Sequence, residues 1–443
     1  MSAQSAILLY NPISNEGHLD SWHVLFIEMF LAAGWNVIPA TTDPQGLQAK
    51  LERKRLLNHP NLIWLTALEH ERHTIKVKAT NLYQRVRRRF QRLYQSAKQR
   101  EEQLLAARFL DPQQFKNDIE RTLSRSPVRV HLIFNLFVDG YLPNSMIWND
   151  LAFQQGSDQV AKEPIPWVGL CINPELEAQP RLQTQVQVSA SPFKKVPAYY
   201  SLSTYRGTCF LDEAAIQQYR EVFPAKQFAF LPDITETDLP LEPTALAVEI
   251  KRRAAGRLIV FMGGSIGQQK NLEKWIELIL STDPTQWYFV QIGRISYNNL
   301  TPADEQALGR IKQQPPENLY VHADYLPDET SFNSIIATAD VIFAVYRDFY
   351  RSSNMLAKAA YFEKPILVAD RCLMGERVTQ YGIGLAVPAD SLAAIQAGLS
   401  AITHIQDLPI KCASYRAAFS RIEFGRSLTA FATSCLNQPR AIA

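Results

Sequence analysis

The chain has 443 residues, 47% of them hydrophobic, 20% charged and 10% aromatic. At roughly 150 residues per domain this predicts two to three domains with room for at least two cores, and it excludes wholesale disorder. Lys+Arg 46 against Asp+Glu 43 leaves +3, too little to imply nucleic acid, although residues 1–125 hold 18 Lys/Arg against 12 Asp/Glu, which puts any contact with an anionic surface in the first quarter.

Residues 6–10 (AILLY) form an apolar run halted by Asn11-Pro12, a buried strand entering a loop. Asp20 then precedes Trp22, Leu25, Phe26, Met29, Phe30 and Ala33 at helical spacing, with Asp20 as N-cap and Gly34 as the stop. Residues 36–41 read as a second strand, 45–58 as a charged helix and 61–67 as a third strand. This alternation is the signature of an open parallel sheet. A long polar helical insertion, about 80–124, interrupts it. The pattern resumes with a strand at 128–135, a helix near 145–155, a strand at 166–172, a helix at 212–223 and a strand at 227–231.

Residues 232–247 (PDITETDLPLEPTALA) carry three Pro and four acids with little periodicity, the best linker in the chain. Beyond it strands at 257–262, 287–292, 318–322, 340–345 and 366–369 alternate with helices at 271–282, 302–312, 329–338, 355–362, 373–381 and 390–402. A last helical stretch covers about 411–435. The predicted class is α/β: two Rossmann-like doubly wound domains facing a cleft. Their expected bounds are 1–232 and 248–410, joined by a linker at 233–247, with 411–443 packing back on the first domain.

Two segments carry the strongest chemical signals. Strand 257–262 runs into Gly263-Gly264-Ser265-Ile266-Gly267-Gln268-Gln269-Lys270-Asn271 and then a helix. Glycines let backbone N–H groups approach an anion, the helix start adds partial positive charge, and Lys270 adds a full one. The loop is neither a Walker loop nor GxGxxG, and a plain strand–helix turn explains Gly263 and Gly264 equally well. The second segment, Tyr350-Arg351-Ser352-Ser353-Asn354-Met355-Leu356-Ala357-Lys358, is a polar loop opening a helix. Ser352, Ser353 and Asn354 can each cap it, and its N–H groups suit phosphate, with Lys358 one turn inside. An ordinary capped helix with a solvated Lys358 is the alternative.

Residues 257–402 resemble the donor-binding domain of GT-B glycosyltransferases, most closely family 4 (glycosyl transferases group 1). The likeness rests on FMGGSIGQQKN as phosphate loop, HADYLPDETSFNSIIATADVIFAVYRD as base-binding loop with its following helix and strand, and SSNMLAKAAYFEKPILVADRCLMGERVTQYGIGLAVPADS as signature segment. It covers about a third of the chain, in the right order; the N-terminal half is similar in architecture only. The resemblance implies that Gly263, Gly264, Ser265 and Lys270 meet the donor diphosphate, that backbone at Tyr325 and Leu326 holds the nucleobase, and that Tyr350 and Ser353, Asn354, Met355 and Leu356 approach phosphates and sugar. This sequence departs from the family at three positions. The phosphate-binding Arg is Gly264 here, and the two carboxylates spaced E-x7-E fall on Tyr350 and Lys358. An ammonium cannot accept hydrogen bonds from ribose hydroxyls; Lys358 can instead pair with the diphosphate.

The implied activity is transfer of a sugar from a nucleotide-sugar to a glycan or lipid-linked acceptor, with retention and without a metal or other cofactor. A catalytically inactive GT-B-fold subunit that binds a partner or glycan is the second reading. No D-x-D occurs in the chain, and EHERH at 69–73 is not HExxH, so no metal site is expected. Asp139, on the loop after strand 128–135, is the candidate to position or deprotonate an acceptor hydroxyl, or else caps its loop. His18, beside Gly17, is a candidate acceptor or phosphate contact, or else a surface residue. Residues 85–100 (RVRRRFQRLYQSAKQR) contain no acid and make a basic amphipathic helix. It suits an anionic membrane surface, or packs its apolar face on the domain. The five Cys show no CxxC spacing, and no signal peptide or membrane-spanning run is expected. The expected location is therefore cytoplasmic, with peripheral docking on the inner membrane face.

Overall fold

The computed structural model describes residues 5–13, 19–65, 112–142, 152–155, 164–172, 174, 198–324, 326 and 328–438. The chain divides into two compact units. One is built on the described residues up to Phe230 together with those from Gly425 onward; the other spans Leu231–Phe424. Each is organised around a six-stranded, all-parallel sheet.

In the first unit the strands are β1 (Ala6–Asn11), β2 (Asn36–Thr41), β3 (Leu132–Asn135), β4 (Trp167–Cys171), β5 (Tyr205–Phe210) and β6 (Gln227–Phe230), in the spatial order β2-β1-β3-β4-β5-β6. All six residues of β1 are buried, as expected of a strand covered on both faces by crossover helices. Flanking helices are α1 (Leu19–Ala32), α2 (Pro44–Arg53), α3 (Pro112–Arg125), the single turn α4 (Val138–Tyr141) and α5 (Glu213–Val222). Trp167 anchors the core, its ring 4.5 Å from that of Tyr205 and 5.8 Å from that of Phe115.

The second unit contains α6 (Ala245–Ala254), β7 (Leu258–Gly263), α7 (Leu272–Ser281), β8 (Trp287–Ile292), α8 (Pro302–Gln313), β9 (Leu319–His322), α9 (Glu329–Thr338) and β10 (Val341–Ala344). After these come α10 (Asn354–Tyr361), β11 (Ile366–Ala369), α11 (Cys372–Tyr381), β12 (Gly384–Val387), α12 (Leu392–Ile402) and α13 (Leu408–Ala418). Its sheet runs β12-β11-β10-β7-β8-β9. Helix α14 (Arg421–Asn437) closes the described chain, and its Phe431 ring lies 6.3 Å from that of Phe134 within the first unit. Among the described residues no helix is long and apolar enough to cross a membrane.

The doubly wound α/β reading is correct for both units. Several element readings are not. Asp20 sits inside the first turn of α1, with Lys50 Nζ 3.5 Å from its carboxylate, instead of capping the helix. Gly34 does end the α1 region, at φ +80°. Of the expected third strand, residues 66 and 67 lie outside the described residues, and among those described only Leu62 pairs, through a single bridge to Val37. Of the helix expected near 145–155, residues 145–151 lie outside the described residues, and Phe153 pairs antiparallel with Ile165. Residues 245–254 form a helix whose first three residues fell within the linker reading and whose remainder was not read as an element. Thr244 caps it, accepting the Ala247 N–H. The last helical stretch is two helices, α13 and α14, parted at Phe419 and Ser420.

Candidate functional site

In the second sheet β7 comes first in sequence yet lies between β8 and β10. The winding therefore reverses between β7 and β10, and open α/β sheets receive ligands beyond the carboxyl ends of the strands at that reversal. Gly263 ends β7, and Tyr346 lies two residues past the end of β10.

The loop after β7 is fastened to the loop after β8. Gly264 donates its N–H to Ile292 O (3.0 Å), Ile266 to Arg294 O (3.0 Å), and Ser296 to Ile266 O (2.8 Å). The approach requires glycine twice. Gly264 has φ +99°, and Gly293, at φ +130°, would with a Cβ meet Gly264 O at 2.0 Å. This zipper takes up two of the N–H groups that the glycine-rich pattern suggested for an anion. Among the described residues the Ser265 and Gly267 N–H groups make no backbone bond, and Ser265 is exposed.

Lys270 closes the site. Its Nζ donates to Gly263 O (2.9 Å) and to Tyr346 Oη (2.6 Å), and lies 4.1 Å from the Tyr346 ring centroid. The ammonium has a third hydrogen, and among the described residues no carboxylate pairs with it. Arg347 locks the surroundings: its N–H donates to Gln269 O (2.9 Å), and its guanidinium to Asn271 Oδ1 (2.9 Å) and Glu273 Oε2 (3.0 Å). Asn271, in the left-handed region at φ 55°, donates from Nδ2 to Ala389 O. The result is an uncompensated positive charge at the strand reversal, held by a rigid frame. Exposed Arg294 leaves from the adjoining loop.

On the neighbouring loop Ser353 caps α10, its Oγ accepting the Met355 N–H at 3.4 Å, while the Asn354 N–H has no acceptor among the described residues. The start of α10 thus keeps its partial positive charge. Met355 and Leu356 are buried and pack the helix down. Ser352 Oγ accepts from Arg377 Nη1 (2.7 Å). Tyr350 is half-buried; burial, and then Asp348 and Cys372, raise its phenol pKa, so it acts as a neutral hydroxyl.

Lys358 stands apart from Lys270. Its side chain is fully buried, and its Nζ donates to Asn333 Oδ1 (2.6 Å), Glu329 Oε2 (2.7 Å) and Glu236 O (3.2 Å). All three of its hydrogens are thereby used. Asn333 Nδ2 in turn donates to Glu236 O and Asp238 O. Desolvation lowers the Lys358 pKa, opposed by Glu329. The residue fastens residues 236–238 to α9 and α10. Phe332 is the link to the glycine loop: its ring lies 5.6 Å from Lys358 Nζ and would meet a Cβ at Gly263.

In the first unit the reversal falls between β1 and β3. Those strands end in Asn11 and Asn135, both fully buried. Among the described residues Asn11 Nδ2 and both polar atoms of the Asn135 amide have no hydrogen-bond partner, while Asn11 Oδ1 accepts the Ile13 N–H (3.2 Å); open buried amide groups ask for an explanation. Just beyond, Phe137 adopts φ 61°, a strained conformation for an aromatic residue. Asp139 Oδ1 accepts the Ile172 N–H (3.0 Å), tying α4 to the end of β4.

Thus Gly263, Gly264, Ser265 and Lys270 share one loop, which meets the residues after β10 at Tyr346 and Arg347; Tyr350, Ser353 and Asn354 lie further along that connection into α10, and Lys358 is engaged elsewhere. Leu326 is half-buried after β9. His18, Tyr325 and residues 85–100 lie outside the described residues. Sequence reasoning missed Tyr346, Arg347, Asn11 and Asn135. The available signal was a polar residue closing an apolar strand run, as in AILLYN and HLIFN.

No protein-family model and no curated protein matches the chain. Solved structures do. A glycosyltransferase from Rickettsia africae aligns at TM-score 0.58 and 10% identity, covering 99% of this chain and 100% of that one. Sucrose-phosphate synthase from Thermosynechococcus elongatus aligns at TM-score 0.57 and 13% identity, covering 97% and 98%. The Escherichia coli trehalose-6-phosphate structure bound with UDP-2-fluoro glucose aligns at TM-score 0.56 and 13% identity, covering 99% and 100%. The two parallel six-stranded sheets with flanking helices are a GT-B architecture. The fold is that of the GT-B glycosyltransferases, and at such identities the likeness speaks to fold alone.

Proposed function

We propose that the chain is a glycosyltransferase that takes its sugar from a nucleotide-sugar donor. One observation carries the reading: the Lys270 ammonium lies at the strand reversal of the second sheet with no carboxylate partner among the described residues and a hydrogen to spare. Breaking the bond between the anomeric carbon and the diphosphate leaves negative charge on the phosphate oxygens. A fixed ammonium, the Ser265 N–H and the start of α10 are suited to receive it without reorganisation. The fold supports the reading, and among its relatives the E. coli structure is bound with UDP-2-fluoro glucose. In this reading the leaving group is stabilised by the chain's own fixed charge rather than by a metal, and transfer proceeds with retention to a glycan or lipid-linked acceptor. The open Asn11 Nδ2 and Asn135 amide make the first unit the side to search for acceptor contacts.

Titration calorimetry with UDP and UDP-glucose tests it. Binding is expected, and Lys270→Met should weaken it by about tenfold or more, the loss of a charge-assisted hydrogen bond. No binding of UDP, GDP or ADP at millimolar concentration, or equal nucleotide binding by the variant, overturns the proposal.

A second reading, a GT-B-fold subunit that binds without catalysis, is favoured by Lys358. The position where the resemblance calls for a carboxylate holds a lysine whose hydrogens are all taken within the protein. UDP-glucose that binds yet is neither transferred nor hydrolysed would select this reading.

A further inference from the structure

A cavity of about 410 Å³ lies in the second unit between α8 and the edge strand β9, with β8 at its base. Its Ile295 and Tyr297 come from the loop after β8, the loop that is bonded to the glycine loop at Ile266. Its volume falls in the range of small-molecule sites, which are mostly apolar with a few placed polar groups. Ile295, Leu308, Ile311 and Leu319 supply apolar wall.

Two polar features stand out. Gln291, 1% exposed, lines the cavity; its Oε1 accepts from Trp275 Nε1 (3.1 Å), while its Nε2 has no partner among the described residues. The indole fixes which way the amide points, so the Gln291 side chain offers an unused donor. At the rim, the exposed Lys312 ammonium lies 5.2 Å from the Tyr297 ring centroid and has no carboxylate partner among the described residues. Tyr297 is itself 54% exposed, an open aromatic face beside a cation. Val321, 43% exposed, borders the opening on β9.

We infer that this pocket binds a hydroxyl-bearing aromatic carboxylate, its ring among the apolar walls, its hydroxyl oxygen accepting from Gln291 Nε2 and its carboxylate paired with Lys312. An apolar body answers the walls, an acceptor answers the orphaned amide, and negative charge answers the unpaired ammonium. A cationic or purely aliphatic ligand would meet only one of these three features.

The probe is para-coumarate, titrated into the full chain by calorimetry and followed by saturation-transfer NMR. Saturable binding is expected. Lys312→Glu should weaken it by about tenfold or more, as removal and reversal of one charge-assisted contact implies, and the methyl ester should bind correspondingly worse. Val321→Trp, a substitution at an exposed edge position, should block the opening and abolish binding while cooperative thermal unfolding is kept. Absence of saturable binding at millimolar probe overturns the inference. So does an affinity unchanged in Val321→Trp, an ester that binds as well as the acid, or competitive displacement by UDP, which would make the pocket part of the nucleotide site. Failure of UDP to bind at all would count against the transferase reading and leave these outcomes as they stand.

Discussion

Tyr346 Oη lies 2.6 Å from Lys270 Nζ, and the same ammonium lies 4.1 Å from the Tyr346 ring centroid. One side chain therefore holds the cation twice, once through its hydroxyl and once through its π face. Tyr346→Phe removes the first hold and keeps the second. The ammonium should stay in place with one more hydrogen to offer. The expected stability loss is about 1 kcal/mol, that of one hydrogen bond, measured by urea unfolding. UDP affinity should stay within about threefold of the parent. If the affinity instead collapses as far as in Lys270→Met, the phenol and not the ammonium is the ligand contact.

The Lys358 cluster separates a fastener from a ligand. Breaking a buried ion pair costs about 3–5 kcal/mol; because Glu329 is 32% exposed, the lower end, about 3 kcal/mol, is expected for Lys358→Met. Adding Glu329→Gln should recover part of that loss, since the stranded carboxylate is neutralised. Nucleotide affinity of the folded variant should change little. A variant that keeps its stability but loses UDP would put Lys358 back among the diphosphate contacts.

Much of the second unit was legible because its signals are local. RLIVFM followed by two glycines can hardly be anything but a buried strand entering a turn, and Ser353 before an apolar helical face marks a start. The partners of Lys358 were not legible. Glu236, Glu329 and Asn333 lie 122, 29 and 25 residues away, and no periodicity connects them. The N–H groups of the glycine loop misled for a related reason: the sequence shows that Gly264 can approach an anion, but not that the Ile292 carbonyl already accepts its N–H. Residues 61–67 read as a strand because their composition is that of a strand, while pairing is decided by neighbours, and among the described residues 61–65 only Leu62 found one.

Gly293 tests whether the two zipped loops must touch. At φ +130°, with Gly264 O 2.0 Å from the position of a Cβ, Gly293→Ala cannot be absorbed by a side-chain shift. Backbone strain of this type costs roughly 1–3 kcal/mol, and the clash forces the β7 loop away from the β8 loop. Both the melting temperature and UDP affinity should fall. Gly309→Ala, at a helical position where a Cβ meets nothing within 4 Å, is the matched control and should be neutral or mildly stabilising. Equal behaviour of the two variants would show that the loop contact is dispensable.

His23 sets a pH dependence. It is buried on α1, its Nε2 has no partner among the described residues, and desolvation, with a smaller push from Lys50, lowers its pKa to about 3. The unfolded chain binds that proton near the ordinary value of 6.5, so below that pH the unfolded state holds more protons than the folded one. Stability should then fall as pH drops from about 6.5 towards about 3, by about 1.4 kcal/mol per pH unit from this residue, and be independent of it above. His23→Leu removes the titrating group and keeps an apolar filler. Urea unfolding at pH 7 and pH 5 should show the parent losing about 2 kcal/mol more than the variant between the two conditions. Equal losses would mean that His23 takes up its proton while still folded, through an opening of α1 that the native packing around Trp22 and Phe26 does not display.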